Sequence, residues 1–230
     1  MSEQSNNPLW TDRFCGSLED LDHLYAAING GGKEGWVRYI HEREGFTADL
    51  RGACLSGRDL SGWHMEGADL SNVNLSGALL RGTYLARAVI AGANMNGAQL
   101  TTADLEGASI SACDLNGADL TRAHLRVAKM QDVKARGAVF KGSRMYRIQI
   151  SGCDMKDADL SGADGRYGMC IDSDLSGADL HGSNFARAKF MNVTMNNANL
   201  SLAYFCDSSL LSVTTDGADM KGCLYPGRKK

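Results

Sequence analysis

The sequence predicts an all-β solenoid over residues 48–222, preceded by a short α-helical cap segment, residues 1–47, and followed by a basic tail, residues 223–230. Three observations predict this architecture. A large apolar residue recurs every five residues, a small residue lies two positions before it, and no proline interrupts the repeat. The two prolines, Pro8 and Pro226, flank the repeat, so every backbone N–H within it can join a hydrogen-bond ladder.

The five-residue period runs from Leu50 to Met220 without a change of phase. Of the 35 positions whose number is a multiple of five, 31 hold Leu, Met, Phe or Ile, and 20 of the 35 positions two places earlier hold Ala. In a helix, the apolar residues five positions apart would be spread around the axis, and in a straight strand they would alternate between the two faces. The pattern therefore predicts short extended segments whose ends point inward, separated by corners where glycines such as Gly52 and Gly57 fall.

The repeats resemble those of the pentapeptide-repeat family, whose pattern is A(D/N)LXX. Matching segments are Ala68–Asn72, Ala118–Arg122, Ala158–Gly162 and Ala178–Gly182. The resemblance implies a right-handed quadrilateral β-helix with four repeats in each coil, whereas the spacing alone does not choose between three sides and four. With four sides, the repeat would form about nine coils. Because members of this family share the rod and differ in what its surface binds, the resemblance leaves the function open.

Residues 1–47 predict two short helices. Ser17 to Asp20 is typical of an N-terminal capping box and precedes apolar residues at helical spacing, and a second helix is expected at about 34–42. An open solenoid end exposes apolar side chains and unpaired strand edges. We therefore expect the two helices to cap the first coil, with a separate partner-binding head as the alternative.

Two places depart from the repeat. Arg58 and Trp63 occupy slots where Ala normally points inward, and neither fits a narrow bore, so we expect a local bulge covered by the N-terminal helices. Gly165, Gly168 and Cys170 leave a thin core further along the chain. That coil is expected either to bulge or kink, or simply to tolerate the weak packing.

Composition argues against several functional classes. The net charge of −3 and the pI near 5.9 are atypical of a general nucleic-acid binder, so direct nucleic-acid binding is not expected. Because the sequence shows no membrane span, no secretory signal and no CxxC pair, we expect a reduced, cytoplasmic protein. The histidines and cysteines are scattered, and the repeat itself explains the many Asp residues. We therefore expect that the protein is not an enzyme, that it has no catalytic residues, and that it binds no cofactor or metal.

The first candidate surface is basic. Residues 122–147 carry eight basic residues and one acid, whereas residues 48–121 and 151–220 have net charges of −4 and −6. Arginine beside tyrosine on a rigid ladder suits an anionic or phosphate-bearing partner, with ordinary solvated charge as the alternative. We call this surface the arginine–tyrosine face. Its members are Arg87, Arg126, Arg144, Arg147, Arg166, Arg187, Tyr84, Tyr146 and Tyr167.

The second candidate surface is apolar, and we call it the apolar strip. Ile171, Met191 and Leu211 occupy one outward slot on three successive coils, and Met169 lies beside them. Polar residues fill the same slot in most earlier coils. Adjacent exposed apolar side chains usually form an interface. A homodimer is the simplest version, because the family that the chain resembles often dimerises near its C-terminal end.

These surfaces predict a non-enzymatic scaffold that docks a macromolecular partner, expected to be a protein, through the faces of a rigid rod. The first alternative is a DNA mimic that binds a type II topoisomerase, DNA gyrase, and protects it from inhibitors. One subgroup of the pentapeptide-repeat family, which the chain resembles, acts in this way. The basic belt at 122–147 interrupts the negative field that mimicry needs, so the scaffold ranks first. A secreted bacterial effector is a further alternative.

Overall fold

The computed structural model describes residues 14–43 and 45–225, which form a parallel β-solenoid preceded by a short helical region. Helix α1 spans Leu18–Ala26, a π-helical turn follows at Ala27–Gly31, and helix α2 spans Gly32–His41. Seven three-residue strands then stack in sequence order. They are β1 Val89–Ala91, β2 Ser109–Ser111, β3 Lys129–Gln131, β4 Gln149–Ser151, β5 Met169–Ile171, β6 Lys189–Met191 and β7 Ser209–Leu211.

Each coil has four sides, because four separate ladders pair residues that lie twenty positions apart. The predicted β-solenoid with a helical start is therefore confirmed. The regular strands cover six turns, fewer than the expected nine coils, and isolated bridges on the same period continue the pairing from Asp49 to Leu224. Cys223 is buried and Leu224 pairs with Tyr204, so the solenoid extends past the expected boundary at 222. The rest of the expected basic tail, 226–230, lies outside the described residues.

The corners are tight turns that place one residue in the left-handed region. At the first corner the N–H of Ala53 donates to the carbonyl of Leu50 at 3.1 Å, and Gly52 between them has a φ of 74°. Glycine adopts this conformation without a steric penalty. Among the described residues, seventeen that are not glycine, including Asn72 and Arg87, adopt it as well. Glycine is therefore preferred at the left-handed position of each corner but is not required there.

The helical region covers the open end of the first coil. The Trp36 ring of α2 lies 6.4 Å from the Trp63 ring, and its Nε1–H donates to the carbonyl of His64 at 2.7 Å. The predicted bulge at Arg58 and Trp63 is wrong, because this part of the coil keeps the twenty-residue register and Trp63 is buried. Among the described residues no coil stacks beneath the first one, so the large Trp63 side chain packs against the cap without displacing the backbone.

A buried carboxylate joins the cap to the coil. The Ser17 Oγ accepts from the Asp20 N–H at 3.2 Å, as the capping pattern predicts. The Asp20 carboxylate does not accept from the Ser17 N–H, as it would in a full capping box, because that N–H donates to the Asp49 carbonyl. The carboxylate instead accepts from the Tyr39 hydroxyl at 2.5 Å and from the Asp49 N–H at 2.8 Å. Burial, together with this carboxylate, raises the pKa of Tyr39 to about 12. Backbone bonds from Cys15 and Ser17 to the first coil cover its strand edge.

The thin segment of the core shows no bulge. Strand β5 pairs in register with β4 and β6 through this coil. A Cβ at Gly165 would overlap the ring of Phe185, so the phenylalanine of the following coil fills the space that the missing side chain leaves. Phe185 also packs 5.5 Å from Phe190 and 5.8 Å from Phe205, measured between ring centroids. The core is therefore completed by a residue twenty positions later in the chain.

Replacing Leu105 by Asp should be severely destabilising, by about 4 kcal/mol or more, because Leu105 is 1% exposed and the change buries an unpaired charge. Thermal melting followed by circular dichroism measures the loss. The matched control is Ser109→Asp, which adds the same charge at an exposed position of β2. A Leu105→Asp variant that melts within a degree or two of the control would contradict the inward register.

Gly165→Leu restores the repeat pattern but should destabilise the protein by about 1–3 kcal/mol, because the new side chain competes with the Phe185 ring for one space. Adding Phe185→Leu should recover part of the loss, since the shorter side chain makes room. Denaturant unfolding of the single and double variants measures the coupling. Strictly additive changes would show that the two positions do not share a cavity.

Candidate functional site

The recurring aspartates and the buried Cys170 have structural roles in the repeat. Within residues 14–43 and 45–225, no group of three His, Cys, Asp or Glu could hold a metal ion. Asp119 and Asp159 each accept from the backbone N–H two residues further on, at 2.9 and 2.8 Å, and the same bond recurs in other repeats. Burial raises the pKa of the Cys170 thiol to about 12, which keeps it protonated and unreactive at neutral pH.

None of the described helices is long and apolar enough to cross a membrane. The sequence singles out two surface features, the apolar strip and the arginine–tyrosine face. Both lie on the solenoid, where the backbone ladder fixes the spacing of outward side chains at about 4.8 Å from one coil to the next.

The apolar strip forms where the sequence predicts it. Strands β5, β6 and β7 place Ile171, Met191 and Leu211 as direct Cα partners. Leu211 is 56% exposed and Met191 is 36% exposed, whereas Ile171 and Met169 are half-buried. The strip therefore presents most of its apolar surface towards the C-terminal end of the rod.

The strip continues into the end of the bore, which the sequence analysis missed. Leu210 occupies an inward slot, yet it is 40% exposed because no further coil covers it within the described residues. Its slot is the same as that of a buried Leu, so only its place in the last coil could have revealed the exposure. Apolar side chains line a small cavity of about 30 Å³ at this end. The lining includes Met195, Leu200, Phe205, Leu210, Val213 and Met220.

The arginine–tyrosine face is only partly assembled. A groove of about 490 Å³ brings His124, Arg126, Arg144, Tyr146 and Arg166 together, but Glu106 and Asp164 also line it. Those two acids neutralise part of the positive charge that the sequence predicts.

The acids pair with the arginines of the same groove. Arg166 donates two hydrogen bonds to the Asp164 carboxylate, at 2.8 and 2.7 Å, and Arg126 lies 3.8 Å from Glu106. The hydrogen bonds from Arg166 hold the pKa of the Asp164 carboxyl below its usual range, despite partial burial. Among the described residues, Arg144 forms no ion pair and is the free cation of this groove.

Two predicted members lie apart from this groove. Tyr84 stacks on His64 at 4.4 Å, near the first coil, and Arg87 occupies the adjacent corner. The structure does not bring them together with Arg126 and the later arginines, which start two coils further along the rod.

A second groove lies on the other flank of the same corner of the rod, and we call it the corner groove. It has a volume of about 430 Å³, and no carboxylate lines it. Its lining consists of Arg147, Ile148, Gln149, Tyr167, Gly168, Met169, Arg187 and Lys189. Arg147, Tyr167 and Arg187 were predicted as members of the arginine–tyrosine face. Lys189 was missed because it belongs to the next side of the coil, and sequence reasoning treated each side separately.

The aromatic rings hold the arginines of the corner groove in place. The Arg187 Nη1–H donates to the Tyr167 hydroxyl at 2.6 Å, and its guanidinium carbon lies 5.6 Å from the centre of that ring. The Tyr167 ring meets the Tyr146 ring edge to face at 5.4 Å, and Arg147 lies 5.4 Å from the centre of the Tyr146 ring. Arginine and tyrosine therefore alternate along a continuous cluster.

Comparison with protein families gives one match. The family model described as pentapeptide repeats matches in eight copies, over residues 68–107, 103–142, 143–182 and 170–210. No curated protein matches the sequence.

Several solved structures are similar. HetL, a pentapeptide repeat protein involved in heterocyst differentiation regulation from the cyanobacterium Nostoc sp. strain PCC 7120, is 23% identical, with 84% of this chain and 97% of HetL covered and a TM-score of 0.38. Full-length QnrB1, a plasmid-mediated fluoroquinolone resistance protein, is 21% identical over 71% and 91%, with a TM-score of 0.35. A pentapeptide repeat protein from the Arabidopsis thaliana thylakoid lumen is 24% identical over 58% and 69%, with a TM-score of 0.20.

The carboxyl of Asp164 should titrate below the ordinary range of an aspartate, because the Arg166 hydrogen bonds favour its charged form. Arg166→Gln should move this pKa back towards the usual value, and NMR of the side-chain carboxyl carbons measures it. Lys141→Gln, which removes a cation on another side of the rod, is the control. The pair stabilises the fold at neutral pH, and this contribution is lost as the pH falls through the lowered pKa. An unchanged pKa in Arg166→Gln would show that the pair does not form in solution.

Proposed function

This chain belongs to the pentapeptide-repeat family, and from that premise we propose that it is a non-enzymatic scaffold that docks a protein partner through the exposed side chains of its rigid rod. One observation carries the proposal. The exposed apolar side chains are concentrated at one end of the solenoid, where Met191 and Leu211 of the apolar strip adjoin Leu210 at the open bore.

The position of the strip supports an interface more than chance exposure. The same outward slot holds Ser111, Gln131 and Ser151 in the preceding coils, so the fold itself does not require an apolar residue there. Exposed apolar side chains grouped on successive strands lose contact with water only when a partner covers them. The described part of the chain contains no segment that does so.

A second copy of this chain is the proposed first partner for the strip. Three side chains on successive coils form a surface too small for a stable interface by themselves. Two-fold packing of one strip on another would double the buried surface, and burial of each large apolar side chain contributes roughly 1.5–3 kcal/mol.

The charge distribution favours this proposal over DNA mimicry. A mimic of duplex DNA needs an extended, uniformly negative surface. Here cations neutralise acids along one side of the rod, where Arg136 lies 2.6 Å from Asp154 and Lys156 lies 2.9 Å from Asp174. Asp154 and Asp174 are therefore already paired within the chain, which interrupts the negative surface on that side of the rod.

Replacing Ile171, Met191 and Leu211 together by Ser should leave the rod folded, because their slot faces outward, and should weaken self-association at least about tenfold. Sedimentation velocity across the micromolar range measures the dimer, and the melting curve checks the fold. Val89→Ser is the control, because Val89 is an exposed apolar residue of β1 far from the strip.

The same surface can be tested for another protein partner. A photo-crosslinking amino acid at Leu211, in the cell of origin, should form a covalent adduct either with a second copy or with a different protein. A parent that stays monomeric, combined with the absence of any adduct, would overturn the scaffold proposal for this surface.

A further inference from the structure

We propose that the corner groove binds an acidic peptide segment of a partner protein, in which carboxylates flank an apolar side chain. This inference rests on the proposed scaffold function and names the chemistry of a partner at a second surface. The groove carries a charge pattern that the fold does not need and that a peptide of this kind complements.

The groove runs along the rod over three coils. One wall is the corner column Arg147, Tyr167 and Arg187, and the other is formed by the strand residues Gln149, Met169 and Lys189, which pair as direct Cα partners. Because coils stack about 4.8 Å apart, the backbones of the two wall arginines lie about 10 Å from each other. An extended peptide covers that distance in three residues.

Positive charge in this groove is largely unneutralised. Among the described residues, neither Arg147 nor Lys189 forms an ion pair. Arg187 forms an ion pair with Asp207 at 3.6 Å, and Asp207 does not line the groove. The adjacent groove is different, since Glu106 and Asp164 line it and pair with its arginines.

The centre of the groove is suited to an apolar side chain. Tyr167 is 41% exposed and Met169, two residues later, is half-buried, and both line the groove. Met169 also borders the apolar strip, so the groove and the strip are continuous across one strand. Apolar surface between two cationic ends fits a segment with the reverse arrangement of an apolar residue between acids.

The corner column keeps large side chains where the backbone favours glycine. Arg147, Tyr167 and Arg187 have φ angles of 57°, 59° and 60°, a region that is unfavourable for side chains with a Cβ. In the column of corners that begins at Gly57, glycine fills most positions. Because seventeen non-glycine residues of the described chain adopt this region, the distinguishing feature of this column is its run of arginine, tyrosine and arginine on three successive coils.

The arginines are also arranged for carboxylate binding. The hydrogen bond from Arg187 to Tyr167 and the ring contact of Arg147 with Tyr146 restrict both guanidinium groups before any ligand binds. Restricted side chains lose less entropy on binding, and a guanidinium matches a carboxylate with two parallel hydrogen bonds.

An acidic peptide fits better than a nucleic acid or a membrane. The residues on both sides of the basic belt, 48–121 and 151–220, carry net negative charge and would repel a long polyanion or an anionic lipid surface. A groove limited to three coils suits a short segment whose charge is confined to a few carboxylates.

The test uses the full chain and a fluorescein-labelled peptide in which glutamates flank a central leucine, with binding followed by fluorescence anisotropy at fixed salt. The matching peptide with glutamines in place of the glutamates reports the dependence on charge. The site variant is Arg147→Gln with Arg187→Gln. Its control is Arg122→Gln with Lys141→Gln, which removes two charges on another side of the rod and also changes a left-handed corner residue.

We expect the site variant to bind the glutamate peptide at least about tenfold more weakly than the parent, and the control less than about twofold more weakly, with both variants melting like the parent. Equal weakening in the two variants would overturn the proposal, since attraction would then be general. Equal binding of the glutamine peptide would also overturn it. So would tighter binding of a single-stranded oligonucleotide or of phosphatidylserine vesicles than of the peptide.

Failure here is distinguishable from failure of the scaffold proposal. If the glutamate peptide does not bind while crosslinking at Leu211 still captures a protein, the scaffold stands and the acidic-peptide inference is wrong. The apolar-strip variants should not change peptide affinity by more than about twofold, because Met169 is unaltered in them.

Discussion

The backbone ladder between successive coils is the constraint on which the rest of this structure depends. The Leu105 N–H donates to the carbonyl of His124 at 2.8 Å, and the His124 N–H donates to the carbonyl of Ala103 at 2.9 Å, in a pattern repeated along the rod. This ladder satisfies the backbone N–H and C=O groups by hydrogen bonds between coils, so the inward side chains can pack in an apolar bore. Outward side chains take no part in the pairing, so they are free to vary and their spacing is fixed. Function therefore depends on which residues stand next to each other in columns.

The sequence alone predicts the parts of the fold that depend on a residue's own slot. A buried Leu such as Leu105 and a corner glycine such as Gly52 follow from the five-residue phase. The predicted bulge at Trp63 is wrong, because Trp36 of the cap packs against that side chain. Of the two alternatives at Gly165, the coil stays in register without a bulge, because Phe185, twenty residues later, fills the space. A repeat pattern records what each slot prefers and contains no information about such substitutions between coils.

The candidate surfaces were predictable to different degrees for the same reason. The apolar strip needs only the register, and β5 to β7 place its members as the spacing predicts. The net charge of the arginine–tyrosine face depends also on which acids pair with its arginines. The pairing of Arg166 with Asp164, two residues away, and of Arg126 with Glu106, one coil away, depends on side-chain directions that the spacing does not give. The position of Lys189 in the corner groove depends on two sides of the rod meeting at a corner.

The two proposed surfaces meet at Met169, and this has a consequence for how one partner could use them. Met169 lines the corner groove and lies beside Ile171 at the start of the strip. A single partner that bound both surfaces would have its second contact at high effective concentration, because the first contact already fixes its position on a rigid rod. Two weak contacts would then give tight binding without any large interface. Self-association through the strip would instead bring two corner grooves close together, and the dimer would hold two acidic segments at a defined separation.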